Sequence, residues 1–260
     1  MPKAPSKPVQ NPDFVATLEA GIRRALGAAM VGLTGKKLAD TMGLVFELGG
    51  STQEKITAKD PPKYAIACKD GCAHCCRLYV QVTPLEALHL ARWLIAHRTP
   101  EELAAVKARV AAADDATRGK GTDARTLVPR PCPLLVEERC SAYEARPFAC
   151  RGANSADPEA CESVLGATER VLTPSYRHQR EIWSGMVRAS AAAVRDIGKR
   201  PDLLELNAAL RIALSFTDPV AAWMAGLLDF TPAQCVEEAR AMAKPMFTTG
   251  YEKKNLGDIR

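Results

Sequence analysis

The stretch "ACKDGCAHCCRLYV" sets Cys68, Cys72, Cys75 and Cys76 within nine residues. Thiols crowded this tightly are either oxidised to disulfides or hold something. At 260 residues the chain can bury a core without covalent staples. The cysteine total is odd, at nine, which argues mildly against a pure disulfide framework. The opening "MPKAPSKPVQNPDF" has no apolar run of the secretory kind. The expectation is a cytoplasmic chain with reduced thiols, where a tight cysteine group binds metal or does redox chemistry.

Eight of the nine cysteines fall between positions 68 and 161: after the first four come Cys132, Cys140, Cys150 and Cys161. The first group reads either as one helix face or as a turn at Gly71, and either lets three sulfurs converge. Cys132 stands between Pro131 and Pro133, which fix the backbone and carry no N–H. Cys235 reads as a small buried apolar residue on a helix. Lys69, Arg77, Arg130, Arg139, Arg146 and Arg151 surround the thiols. Arg146 and Arg151, flanking Cys150, are the best candidates to support a thiolate centre. His74 reads as a neighbour of the site rather than a ligand. One dense run with four separate cysteines departs from a zinc ribbon, so the ranking is iron–sulfur first, zinc second, metal-free redox thiols third.

The flanks read as helix. Asn11-Pro12-Asp13 starts a stretch over 13–48, taken as two helices broken near Gly32–Gly35 and closed by Gly49-Gly50. Thr83-x-x-Glu86, Thr99-x-x-Glu102, Asp202-x-x-Glu205 and Thr231-x-x-Gln234 resemble capping boxes. With Thr173-Pro174 and Asp218-Pro219 they predict helices near 84–97, 100–116, 174–197, 203–216, 219–229 and 232–243. A further start is read at Asp157-Pro158. "RLYVQV" predicts a short strand, Leu134–Val136 and Arg139–Tyr143 a hairpin around Glu137-Glu138, and 114–131 a polar connector. The expected fold is mostly α: helical flanks around an irregular cysteine-rich metal-binding centre with a small β element. Its parts are a disordered tail over 1–10, a helical segment over 11–60, the cysteine region over 61–165, a second helical segment over 166–248 and a tail over 249–260.

"CKDGCAHCC", "CPLL…RCSAYEARPFACR" and "DPEAC" together resemble the CxxCxxCC cysteine-cluster family, described as zinc- or iron-chelating. The resemblance covers roughly residues 65–165. It brings in Tyr143 and Arg146-Pro147 beside the eight cysteines and implies metal binding without implying a reaction. Two departures are the three-residue gap between Cys68 and Cys72 and the absence of a basic tail after Cys161. A related cluster in flagellin lysine N-methylase supplies an enzyme alternative, whose methyl-donor loop would have to be "VFELGGS", a poor match. Radical chemistry, suggested by the spacing of Cys68, Cys72 and Cys75, lacks the alternating strands and helices of a barrel.

The implied function is a cytosolic iron–sulfur or zinc protein acting in redox, metal handling or assembly. A structural centre that presents a partner-binding surface is the non-enzymatic alternative. A protein partner is expected. The net charge of +5 is spread along the chain, which disfavours nucleic acid; no apolar run spans a membrane; oligomeric state is left open. Adjacent residues send side chains in different directions. The expected solution is a divided set: three sulfurs of the run join one downstream thiol, and Cys76, or Cys75, points to a second centre shared with the other downstream cysteines or into a reactive pair.

Overall fold

The computed structural model describes residues 12–127, 129–168, 171–235 and 258–259. The expected tail 1–10 lies outside them, as does 249–260 apart from its strand residues 258–259. Among the described residues ten helices appear in order: α1 Pro12–Met30, α2 Gly35–Lys59, α3 Pro84–His97, α4 Pro100–Thr117, α5 Thr122–Leu127, α6 Phe148–Gly152, α7 Pro158–Ser163, α8 Arg177–Asp196, α9 Leu206–Ala213 and α10 Pro219–Met224. Six two-residue strands pair off: β1 Gln81–Val82 with β5 Leu204–Glu205, β2 Leu135–Val136 with β3 Arg139–Cys140, and β4 Ser175–Tyr176 with β6 Asp258–Ile259. The fold is mostly α, as expected.

Two helix starts are set by reciprocal caps. Thr83 and Glu86 open α3, and Thr99 and Glu102 open α4, each with Pro at the first helical position. Asp157 and Asp218 cap α7 and α10 through side-chain oxygens. α3 is buried on nearly all sides, with Leu85, Leu88, Leu90, Ala91 and Leu94 inside the core. It packs against α2, α8 and α9, while α1 lies along α8. Arg23 braces the latter pair with a two-toothed grip on Asp196 (2.7 and 2.6 Å).

Several boundaries differ from expectation, each for a local reason. The break after α1 is real, with Gly32 at φ 61° and Thr34 capping α2. Gly49-Gly50, however, does not close α2, which runs to Lys59. Gly49 is a packing device: a Cβ there would stand 2.6 Å from the Trp183 ring and 2.7 Å from Met186 Cε. The connector 114–131 contains the end of α4 and all of α5. Thr173-Pro174 starts no helix, because Asn154 Oδ1 takes the Tyr176 N–H (2.6 Å) and holds 175–176 extended. α8 begins only at Arg177.

Asp202 is not the cap of α9. Glu205 is, accepting from Ala208 N (2.8 Å), after 204–205 have paired with β1. α10 stops at Met224, short of the expected 229. Thr231–Ala233 is a single 3₁₀ turn, and Gln234 bridges to Leu204. Cys235 is buried as expected, but in extended chain, where it meets the Tyr79 hydroxyl. The rest of the expected helix 232–243 lies outside the described residues. Among them, no helix is long and apolar enough to cross a membrane.

The two glycines of α2 give a paired prediction. Gly49→Ala should cost about 1–3 kcal/mol by forcing apart α2 and the Trp183 ring. Gly50→Ala meets nothing within 4 Å and should stabilise by about 0.5–1 kcal/mol through backbone entropy. Urea unfolding of the two variants measures both.

Candidate metal centre

The first cysteine run is a turn followed by a 3₁₀ turn. Gly71 takes φ 82°, in the left-handed region that glycine enters freely, and Cys72 N–H donates to Lys69 O (3.0 Å). His74–Arg77 then form the 3₁₀ segment carrying Cys75 and Cys76.

The second run wraps around the first. Flanking prolines leave the Cys132 N–H as the donor at that point, and it donates to Cys76 O (2.7 Å). Arg130 N–H donates to Arg77 O (3.3 Å). The β2–β3 hairpin closes on Glu137 and Glu138 at φ 50° and 59°. Positive φ at both positions is the geometry of a type I′ turn, usually made by Asn or Gly. Ion pairs offset that local cost. Glu138 takes both terminal nitrogens of Arg77 (3.2 and 2.8 Å), and Arg139 pairs with Asp70 (2.9 Å). From the helical side, Arg109 Nε donates to Pro133 O (2.9 Å) and Arg98 donates to Ser141 O.

Cys150 lies on α6 and Cys161 on α7. Ser155, which no sequence motif singles out, joins Cys161 to the first run. Its carbonyl accepts from Ala67 N (2.8 Å), its N–H donates to Cys68 Sγ (3.3 Å), and its hydroxyl lies in hydrogen-bonding reach of Cys161. The one sequence signal for it is its place two residues before the Asp157 cap. α7 packs on the 3₁₀ turn.

The thiols influence one another in overlapping groups. Cys68, Cys72, Cys75 and Cys161 feel one another's charge. Cys132, Cys140 and Cys150 form the other group, and Cys75 also reaches Cys140 and Cys150. Cys76 is hydrogen-bonded to Cys75. Among the described residues, no three His, Cys, Asp or Glu side chains close around one point as ligands. Burial pushes the Cys132 thiol up to about 11 and that of Cys150 well above its ordinary range. Cys75 is raised by its hydrogen bond to Cys76 and then by burial. Burial also raises Cys68, Cys140 and Cys161. Packed this way the thiols resist ionisation, and a bound cation reverses that balance.

Groups that favour thiolate are in place. Backbone N–H groups of Ser155, Leu134 and Ala142 serve Cys68, Cys132 and Cys140. The Arg146 guanidinium stacks on the exposed Tyr143 ring at 4.0 Å and favours the anions of Cys75, Cys140 and Cys150. Its Nε is buried with no hydrogen-bond partner. An all-sulfur donor set, N–H groups aimed at sulfur and a buried unpartnered guanidinium nitrogen all fit a negatively charged metal–thiolate centre. Arg151 also favours the Cys140 anion and has a second role. It lies 3.8 Å from the Phe46 ring and donates to Arg146 O (3.0 Å), bracing the loop from below.

Beneath the site sits Glu86, fully buried. It accepts from Thr83 N and the Thr83 hydroxyl (both 2.8 Å) and from Phe148 N (2.7 Å) at the head of α6. In the sequence this residue shows only as a helix cap. Burial raises its carboxyl from 4.5 to about 7. The folded chain therefore holds this proton more tightly than the unfolded chain, so the contribution to stability is full below pH 4.5 and is lost as pH rises through about 7. Glu86→Gln should flatten that part of the pH dependence. It should also cost about 1–3 kcal/mol, because one buried N–H loses its acceptor. Unfolding midpoints at pH 5 and pH 8, wild type against variant, check both. In a second comparison, Cys72→Ser should lose metal and aggregate while Cys235→Ser keeps metal and solubility, read by metal content after gel filtration.

No curated protein and no solved structure matches the chain. Residues 67–169, which hold all eight clustered cysteines, match the CxxCxxCC family, described as "Putative zinc- or iron-chelating domain", and a general metal-binding role is what that match supports.

Proposed function

We propose that the chain holds an iron–sulfur cluster or clusters through Cys68, Cys72, Cys75, Cys76, Cys132, Cys140, Cys150 and Cys161, in the cytoplasm, and works in redox, metal handling or assembly with a protein partner. The observation that carries this reading is the all-sulfur neighbourhood with N–H groups and Arg146 turned toward it. Iron–sulfur centres are held by thiolates and stabilised by hydrogen bonds to sulfur. The protein's share is to gather the thiols, supply those donors and, through Arg146, balance negative charge. The group itself would supply electron storage or transferable metal.

Zinc is the second reading. Cys132 and Cys140 each take the N–H of the residue two positions on, at the two ends of one hairpin, an arrangement that suits a single tetrahedral ion. The methylase alternative loses its candidate donor loop, because Gly49-Gly50 lies inside α2, with Gly49 against Trp183.

Protein purified without oxygen should be brown, with a broad visible band and iron matched by acid-labile sulfide. Colourless protein with stoichiometric zinc would establish the second reading. Protein that takes up neither metal after anaerobic reconstitution would overturn both.

A further inference from the structure

The chain enters the first cysteine run along a strap held at both ends by the corner where β4 meets α8. At the far end, Ala67 N–H donates to Ser155 O (2.8 Å) and Ser155 N–H donates to Cys68 Sγ (3.3 Å). The Ser155 loop is in turn tied to β4. Ala156 N–H donates to Pro174 O (2.9 Å), and the Asn154 side chain bonds both backbone groups of Tyr176 (2.6 and 3.3 Å). At the near end stands Asp60, the C-cap of α2. Its carbonyl accepts from the Tyr176 hydroxyl, and its carboxylate meets His178 Nε2 (2.8 Å). Between these anchors Pro61 and Pro62 carry no N–H, and Lys63, Tyr64 and Ala65 are exposed. The strap is therefore placed by its ends.

His178 is the titratable part of the near anchor. Its side chain is 18% exposed, and each ring nitrogen meets a carboxylate: Nε2 that of Asp60 at 2.8 Å, Nδ1 that of Glu181 at 3.5 Å. The Tyr176 ring stands edge-on at 5.5 Å. Only the imidazolium carries N–H on both nitrogens; the neutral ring turns a lone pair toward one carboxylate. The surrounding positive groups oppose a cation here. His178 lies in the first turn of α8, at the positive end of its dipole. Arg177 pairs with Glu181 (3.2 Å), and Arg180 donates to Ser175 Oγ (2.7 Å). Lys59 precedes Asp60 in the last turn of α2, and β6 sets Asp258 opposite Ser175 in register. From α6, Arg151 offers its carbonyl to Gln179 while its guanidinium lies on Phe46. α1 meets α8 further along, through Glu19 with Arg188 and Arg23 with Asp196. α3 brings the uncharged pair Thr83 and Ser190. A charged imidazole thus depends on its two carboxylates. The hydrogen bond to Glu181, opposed by burial and joined by that to Asp60, raises it above its ordinary 6.5. The folded chain holds this proton more tightly than the unfolded chain. The stabilisation is full below pH 6.5 and is lost as pH rises through the raised value.

We propose that His178 is a pH-operated latch on the strap that leads into the first cysteine run. Protonated, it joins the end of α2 to the head of α8 and fixes the strap. Neutral, it frees Asp60, and the strap moves with Cys68 away from Ser155. The latch acts through backbone and carboxylate contacts, so it stands whichever metal the cysteines hold.

The test uses the full chain as purified, between pH 5.5 and 8.5. Long-range proton–nitrogen NMR follows the His178 ring, and amide exchange, corrected for its intrinsic pH dependence, follows the N–H groups of Asp60 and Ala67 at the two anchors. The expected result is a His178 midpoint above 6.5, with protection at both amides falling through that same midpoint. The fall should be at most about tenfold for each pH unit by which the midpoint exceeds 6.5. Glu181→Gln should lower the ring midpoint and the exchange midpoint together. His178→Gln should leave protection at the two amides low and flat with pH. Glu86 remains in that variant, so its own titration is separated from the latch. Metal loss from protonated thiolates would loosen the strap at low pH, the opposite direction. A His178 midpoint at or below 6.5 would overturn the latch, as would an exchange slope that survives in His178→Gln. Should the variants fail to fold, coincidence or divergence of the two wild-type midpoints decides the question.

Discussion

The hydrogen bond from Phe148 N–H to the buried Glu86 carboxyl is the join on which the site depends. The cysteine loops are poor in large apolar side chains and cannot form a core of their own. They are suspended from a helical core that the flanks provide. Glu86 completes the cap of α3 and receives the head of α6 with the same side chain. An acceptor so placed cannot be replaced by a hydrophobe without leaving buried N–H groups unmet. Arg109 and Arg98 repeat the arrangement by donating to loop carbonyls. Polar links specify direction as well as distance, so the loops are set in one orientation over the core.

Helix starts are the legible part of the fold. A Thr or Asp before Pro, with Glu three residues on in the Thr cases, is a local device whose energy is spent within one turn, and Thr83, Thr99, Asp157 and Asp218 all act as caps. Sequence and structure part where tertiary contacts decide. Gly49 looks like a stop because a glycine costs helix stability. Its contact with Trp183 comes from more than a hundred residues away and turns that cost into a close helix crossing. Thr173-Pro174 loses its helix start to Asn154, and Asp202 loses its cap to Glu205, because both segments first pair as short strands.

In the site, the eight cysteines, the hairpin and the two flanking arginines are visible in the sequence as a pattern, and the structure brings several of the thiols within reach of one another's charge. Arg146 and Arg151 both favour the Cys140 anion, and Arg151 also lies against the Phe46 ring. Ser155 and Glu86 are not visible as site residues. Their roles depend on backbone groups, the Ser155 N–H and the Phe148 N–H, and backbone groups leave no mark in residue identity.

The adjacent pair Cys75-Cys76 is where local geometry and the wider fold meet. On a 3₁₀ turn, with three residues per turn, neighbouring side chains leave the axis about 120° apart. The same turn packs against α7 and is tied to the hairpin by the Cys132 N–H donating to Cys76 O. The two thiols nonetheless stay within hydrogen-bonding reach of each other, and the Cys75 charge is felt both by Cys68 and Cys161 and by Cys140 and Cys150. The doubled cysteine thus sits where the first run, α7 and the hairpin meet, with Cys75 facing thiols of both runs and Cys76 tied by its backbone to Cys132.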